Sequence, residues 1–250
     1  MDLPHELIDE IISHIPRYDK KSLQNCSLVA KSWMHPSRRR LFEKVMIPGE
    51  AYLKLLQDAI SPTEVGVFQH VRSLTCNIHD EHHLPQGFDD FLRDYSPSFC
   101  QLERLSIFTL GSLALFTQIW TTSAFQHTLS YLRLENCSAA ASALVTLVSY
   151  FPNLAHLDLV RLSHEADDQP VLPFSRPLRK LSLTEFSNNS MGLLDQLMGL
   201  RPQCDEVTVR IDLVSSPSLA QRVIDGTEAS IKRLNLASNT SGMCGIPGSL

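Results

Sequence analysis

An apolar pattern of the form LxxLxL, repeated along most of the 250-residue chain, constrains the fold more than any other sequence feature. Because Leu is common, one copy would mean little, but seven copies separated by 24 to 31 residues indicate a genuine repeat. The central residues of the copies are Leu74, Leu105, Leu132, Leu157, Leu181, Val207 and Leu234. Each copy predicts a short strand with its apolar side chains on one face, and Val45 with Ile47 forms an incomplete first copy.

The segments between the copies predict mainly helices. They are Leu53–Ile60, Phe88–Tyr95, Leu113–Trp120, Ala139–Tyr150, Met191–Leu200 and Leu219–Ile224. Glu165–Pro177 contains three prolines and predicts an irregular loop instead. Strands that run in one direction with helices between them form a parallel sheet that curves into an arc, and the period resembles that of leucine-rich repeats, about 20–29 residues. We therefore predict an α/β fold in which residues 48–250 form a curved leucine-rich-repeat solenoid, with a parallel sheet, outer helices and about seven irregular copies.

The first 47 residues follow a helical pattern. Apolar residues at positions 7, 8, 11, 12 and 15 lie on one helical face, Pro4 fits a first turn, and Pro16 ends the helix. Asp19 is a suitable N-cap for a second helix. Pro36 predicts the start of a third helix over Ser37–Phe42, with Arg38–Arg40 exposed.

The residue pattern of this first segment resembles that of an F-box. The matching residues are Leu3-Pro4, Glu6-Leu7-Ile8, Ile11-Ile12, Cys26-Ser27-Leu28-Val29, Lys31-Ser32-Trp33 and Leu41-Phe42. An F-box followed by leucine-rich repeats resembles the F-box proteins of the leucine-rich-repeat class, and the loose repeats look most like the fungal type. The resemblance gives a three-helix F-box at residues 1–47 as the first domain and the repeats at 48–250 as the second.

This resemblance implies a substrate-recognition adaptor of a Skp-cullin-F-box type ubiquitin ligase. In that family the F-box docks on a Skp-type adaptor subunit, which links it to a cullin-RING ligase. The residues that match family contact and core positions are Leu3, Pro4, Leu7, Ile8, Ile11, Leu28, Val29, Trp33 and Leu41. Three short helices have a small core, so a leftover apolar surface is expected to need a partner. The alternative is that this surface packs on the first repeat.

Side-chain alternation also places polar residues of the strands on the face opposite the leucines, the inner wall of the predicted arc. The first column reads Ser73, Arg104, Tyr131, His156, Lys180, Glu206 and Arg233. The second reads Thr75, Ser106, Arg133, Asp158, Ser182, Thr208 and Asn235, and the third Asn77, Phe108, Glu135, Val160, Thr184, Arg210 and Ala237. Because Arg and aromatic residues are typical binding anchors, we predict a target-binding set of Arg104, Phe108, Tyr131, Arg133, Asp158 and Arg210. The alternative is a merely solvated sheet.

Composition argues against several other classes. The net charge is −5, with +2 in residues 1–47 and −7 in the remainder, so a nucleic-acid partner is not expected. The acidic first ten residues do not form a secretory signal, and no apolar stretch reaches the roughly 20 residues of a membrane span. We therefore expect a soluble protein of the cytoplasm or nucleus with reduced cysteines. The His79–His83 cluster does not match a helical zinc motif and predicts a solvated loop, so no metal or cofactor is expected.

Three hypotheses about function remain. The first is a non-enzymatic adaptor that links a target to a ligase, and the second is a leucine-rich-repeat binding module without ligase coupling. An enzyme is the third, disfavoured because no catalytic constellation or phosphate-binding loop is visible. Residues 242–250 do not resemble the polar cap that a repeat array normally has, which leaves two alternatives open: an array that is incomplete at its C-terminus, or a cap formed by residues 237–250.

Overall fold

The computed structural model describes residues 3–59, 62–78, 91, 94–109, 111–113, 123–166, 174, 177–186, 190–199, 204–211 and 233–238. Three helices come first along the chain: α1 (His5–His14), α2 (Lys20–Val29) and α3 (Lys31–Phe42). Pro4 precedes α1 and Ile15 ends it, as the two prolines predict. The carboxylate of Asp19 accepts a hydrogen bond from the Ser22 amide at 3.1 Å, which confirms the predicted cap of α2.

The third helix is longer than the sequence predicts. It begins at Lys31, so Pro36 lies inside it and not at its start. The amides of Trp33 and Met34 already donate to the Ala30 carbonyl at 3.0 and 3.2 Å. A proline within a helix removes one backbone hydrogen bond. Here Pro36 is itself buried, and packing of the helix against its neighbours offsets that loss.

The rest of the described chain is built around one eight-stranded parallel sheet. Its strands are β1 (Lys44–Ile47), β2 (Ser73–Ile78), β3 (Arg104–Thr109), β4 (Tyr131–Glu135), β6 (His156–Val160), β8 (Leu178–Phe186), β9 (Cys204–Ile211) and β10 (Arg233–Ser238). They lie in chain order, so each strand pairs with its predecessor and its successor. The predicted α/β architecture with a parallel sheet is confirmed. Strand β1 belongs to this sheet although its residues fall within the predicted first domain.

The register of the sheet agrees with the columns predicted from alternation. Arg104 pairs with Tyr131, Tyr131 with His156, and His156 with Lys180. A repeated hydrogen-bond pattern precedes the strands, in which one backbone carbonyl accepts from two successive amides of the next strand. The accepting residues are Glu43, Arg72, Glu103, Ser130 and Ala155. The same local geometry is therefore used five times across the sheet.

The apolar core lies on one side of this sheet. Three helices, α4 (Glu50–Ala59), α5 (Ala141–Tyr150) and α6 (Met191–Gly199), add residues such as Leu53, Leu144 and Leu193 to the strand leucines. Shorter 3-10 helices at Pro62–His70, Ser96–Ser98 and Ala124–His127 lie between other strands. The helices predicted over 88–95, 113–120 and 219–224, and most of the 165–177 loop, lie largely or wholly outside the described residues, as do residues 239–250.

A two-stranded parallel ladder, β5 (Ser138–Ala139) and β7 (Ser163–His164), follows the ends of β4 and β6. Asn136, Arg161 and Glu185 all adopt positive φ, at 59°, 51° and 58°. These three residues stand at the same distance from the buried leucines of β4, β6 and β8. The amides of Asn136 and Arg161 each donate at 3.0 Å to the next strand, so the bend itself is repeated.

The core of the sheet also contains three cysteines. Cys76, Cys137 and Cys204 are free and buried, and burial raises the pKa of the last two to about 12. Such thiols are poor nucleophiles near neutral pH. Within the ranges given above, no helix is both long enough and apolar enough to cross a membrane.

Candidate protein-binding surfaces

The helical segment exposes apolar side chains on two of its helices. Leu3, Leu7 and Ile11 follow one another at helical spacing and are 47%, 45% and 42% exposed. Leu28 and Val29, at the end of α2, are 83% and 67% exposed. Pro4 is also exposed. Apolar side chains grouped at this level of exposure are typical of a surface that another protein covers.

The remaining predicted adaptor contacts are partly or fully buried. Ile8 is fully buried and packs with Ile12 and Leu23 in the core of the three helices, so its role there is structural. Trp33 and Leu41 are half-buried against the same cluster. The apolar stripe of α1 therefore divides into an inner row, Ile8 and Ile12, and an outer row, Leu7 and Ile11.

Polar contacts orient α1 against α3. The Arg40 guanidinium donates to the Ser13 carbonyl at 3.0 Å and lies 3.7 Å from Glu43. Arg39 approaches Asp9 at 3.4 Å, and Arg17 pairs with Glu43 at 2.8 Å. Two arginines of the predicted solvated run therefore fix the position of α1, and only Arg38 lacks such a contact among the described residues.

Of the described helices, none packs on the sheet face opposite the core, which is called the uncovered face below. This face carries a groove of about 510 Å³, and a smaller one of about 300 Å³ lies beside it. All six predicted target-binding residues line these grooves through strands β3, β4, β6 and β9, and Tyr131 and Arg133 line both. The other four are Arg104, Phe108, Asp158 and Arg210. The structure thus brings all six onto one surface, with Arg104 and Arg210 exposed and the other four half-buried.

Arg133 is the centre of an ion-pair network in the larger groove. Its guanidinium lies 3.0 Å from Asp158 and donates to Glu135 at 2.8 and 3.1 Å. The Tyr131 hydroxyl donates to the same Asp158 carboxylate at 3.1 Å. Burial, followed by the charge of Asp158, raises the pKa of Tyr131. Arg133 and Asp158 are therefore partnered with each other, which limits their value as free anchors.

Glu135 is the most buried charge of this face, with a side chain only 6% exposed. It accepts from Arg133 on one side and from Arg161 on the other, and Arg161 also lies 3.4 Å from Glu185. Two arginines on one buried carboxylate satisfy its hydrogen-bonding capacity. Strand alternation did not indicate this role, because Arg161 follows β6 and Glu185 lies at a register irregularity within β8, both with positive φ.

Aromatic rings contact two arginines of this face. The guanidinium carbon of Arg104 lies 5.0 Å from the ring centre of Tyr131, and that of Arg133 lies 5.7 Å from Phe108. Both distances fit cation–π contacts. Lys180 pairs with Glu206 at 2.8 Å, whereas no acidic side chain of the described residues lies within ion-pair distance of Arg104 or Arg210.

His156 reports the electrostatic character of the groove. Its pKa is lowered, first by burial and then by the charges of Lys180, Arg104 and Arg179. Of the charged groups that shift this pKa, only Glu206 raises it. The described part of the chain groups no three His, Cys, Asp or Glu side chains as metal ligands, and the His79–His83 cluster lies outside it.

Comparison with known families assigns the helical segment. The family model of the F-box domain matches residues 1–35. The chain therefore contains an F-box domain at its first two helices and the start of α3. No curated protein matches the chain.

Proposed function

We propose that the protein is the substrate-recognition subunit of a Skp-cullin-F-box type ubiquitin ligase. In this proposal residues 1–47 dock on a Skp-type adaptor and residues 48–250 form a leucine-rich-repeat array that binds the target. The observation that carries the first half is the F-box match together with the exposed apolar residues of its helices. A non-enzymatic role follows, since F-box proteins are generally adaptors.

The repeat interpretation is supported by three features of the sheet. Its strands lie in chain order, and the described apolar side chains of β1, β2, β3, β4, β6, β8 and β9 belong to one core. The doubly accepting carbonyl recurs five times, and the positive-φ bend recurs three times. An array of this kind leaves the strand face opposite the helices free for a ligand. Here that face carries the grooves and the cation–aromatic pairs.

Binding of the full-length chain to a purified Skp-type adaptor tests the first half directly. Replacing Leu7 and Ile11 with alanine together should weaken the complex at least about tenfold, because buried apolar anchors dominate such interfaces. Both side chains are already exposed, so the change should leave the helical core intact. The matched control is Glu6→Ala with Glu10→Ala on the same helix, which should bind normally.

A second pair extends the test to α2. Leu28→Ala with Val29→Ala should also weaken adaptor binding, whereas the exposed neighbours Gln24 and Asn25 supply the control pair. A chain that does not bind the adaptor at all would favour the alternative of a binding module without ligase coupling. Unchanged binding by both apolar pairs would show that the adaptor contacts another surface.

A further inference from the structure

The charge of the uncovered sheet face differs in sign from that of the whole chain. Among the residues whose side chains are described, the strand positions of its three columns hold five Lys or Arg and three Asp or Glu, a net charge of +2, in a chain of net charge −5. The basic positions are Lys44, Arg104, Arg133, Lys180 and Arg210, and the acidic ones Glu135, Asp158 and Glu206. A concentration of positive charge on one surface attracts ligands of the opposite sign.

The acidic residues of this face are already engaged. Asp158 and Glu135 accept from Arg133, and Glu206 accepts from Lys180. Arg104 and Arg210 have no carboxylate partner among the described residues, and both are exposed. Arg104 and Arg210 therefore place positive charge without a carboxylate partner on either side of the paired centre.

The separation of these arginines sets a length for the ligand. Arg104 is on β3 and Arg210 on β9, four strand spacings away across the sheet and four residues further along the strand direction. Together these offsets correspond to about 23 Å at roughly 4.8 Å per spacing and 3.3 Å per residue. An extended peptide covers that distance with about seven residues. The rings of Tyr131 and Phe108 form the two cation–π contacts and provide apolar surface that a bound peptide can contact.

Resting on the function proposed above, we propose that the target segment recognised by this face is an extended acidic peptide, with carboxylates that contact Arg104 and Arg210. The groove between them, about 510 Å³ and lined by Tyr131 and His156, holds the connecting residues. The lowered pKa of His156 agrees with a positive potential at this place. Arginine is well suited to this role because its planar fork binds a carboxylate through two hydrogen bonds.

The test uses the full-length chain and two labelled peptides, measured by fluorescence anisotropy. The first is a Gly/Ser peptide with two pairs of glutamates about seven residues apart, and the second carries glutamine at the same places. The glutamate peptide should bind at low salt, and its affinity should fall with ionic strength. The glutamine peptide should bind at least about tenfold more weakly, as expected when charged anchors are lost.

Single charge reversals identify the contacts. Arg104→Glu and Arg210→Glu should each weaken the glutamate peptide at least about tenfold. Lys54→Glu, the same charge change at an exposed position of α4 on the other side of the sheet, should not. All three positions are exposed, so each variant should keep the wild-type thermal unfolding curve.

Several outcomes would overturn the proposal. They are equal binding of the two peptides, no binding of the glutamate peptide, or equal weakening by Lys54→Glu. Tighter binding of a short single-stranded DNA of equal charge would also overturn it in favour of a nucleic acid. Adaptor binding is measured on the same samples, so that a chain which binds the adaptor but not the peptide contradicts only the acidic-ligand inference. A chain that binds the peptide but not the adaptor contradicts only the ligase role.

Discussion

Among individual residues, Gly192 at the start of α6 occupies a place with little room for a side chain. A Cβ atom there would lie 3.1 Å from two atoms of the His164 ring. The Nε2 atom of that ring is buried without a partner, so the ring is enclosed. Alanine favours a helix interior over glycine by up to about 1 kcal/mol, but overpacking costs about 1–3 kcal/mol. We expect Gly192→Ala to lower the free energy of unfolding, measured by urea titration.

The control for this prediction is the same substitution in a His164→Ala background. With the ring removed, helix propensity should dominate, and alanine at position 192 should raise the free energy of unfolding by up to about 1 kcal/mol. A loss of equal size in both backgrounds would show that some other neighbour of Gly192 is responsible.

His156 predicts a pH dependence of stability. Its pKa in the folded chain lies below the ordinary value of 6.5, because burial and three nearby cations oppose protonation. As the pH falls through about 6.5, the unfolded chain gains a proton that the folded chain resists, so the free energy of unfolding decreases. Urea titrations over this range should show a smaller decrease for His156→Gln.

An independent readout of the same residue is its NMR titration. Arg104→Gln removes one of the cations that lower the pKa of His156, so that pKa should rise. Lys54→Gln, on the other side of the sheet, should leave the titration unchanged. If Arg104→Gln has no effect, the positive potential at this face comes from other residues.

Side-chain alternation predicted which residues of β2, β3, β4, β6 and β8 face the core where their side chains are described, since leucines such as Leu132 must face the core. It could not predict the partners of Arg133, because these depend on side-chain reach and not on periodicity. Register alone places Asp158 opposite Arg133, one strand across. The contact between Glu135 and Arg161 depends instead on the bend with positive φ, which turns Arg161 back toward the sheet. Similarly, helical periodicity grouped Leu7 with Ile8 and could not separate the exposed row from the buried one.

At the scale of the elements, the same bend recurs near the ends of three strands, and at each bend a residue other than glycine has a left-handed backbone conformation. This conformation costs roughly 1–2 kcal/mol for most residues and less for asparagine or glycine. Asn136, with φ of 59°, should therefore tolerate glycine with little change in stability. Asn136→Val should lower the free energy of unfolding by about 1–2 kcal/mol. Chemical denaturation of the two variants measures the difference, and equal stability would show that the bend is not fixed in solution.

Helices and strands with strong periodicity were predicted more accurately than elements without it. The α5 helix was predicted over Ala139–Tyr150 and begins at Ala141, because Ser138–Ala139 pairs with Ser163–His164 as a short strand. The 3-10 helix over Pro62–His70 has no apolar period and was not predicted. The start of α3 was misplaced because Pro36 is a common helix opener, whereas tertiary packing here retains it inside the helix.

The whole molecule contains two separate apolar clusters among the described residues. Ile8, Ile12 and Leu23 form the smaller one in the helices, and the strand leucines with the outer helices form the larger one. Contacts between the two parts include the His35 and His70 rings, whose centres lie 4.9 Å apart. A contact of this kind buries less apolar surface than a shared core. The arrangement predicts two parts that unfold separately.

Two matched substitutions test this prediction. Leu23 and Leu157 are both almost fully buried, one in each cluster, and Leu→Ala at such sites costs about 2–5 kcal/mol. In hydrogen exchange, Leu23→Ala should speed the amides of α1–α3 and leave those of β4, β6 and β8 protected. Leu157→Ala should speed the amides of β4, β6 and β8 and leave exchange in α1–α3 unchanged. The amides of α1–α3 are protected only by the small core of the three helices. The Leu23→Ala variant should also lose adaptor binding while it retains binding of the acidic peptide. If either substitution speeds exchange equally in both parts, the helices and the sheet form one cooperative unit, and the boundary near residue 47 has no thermodynamic meaning.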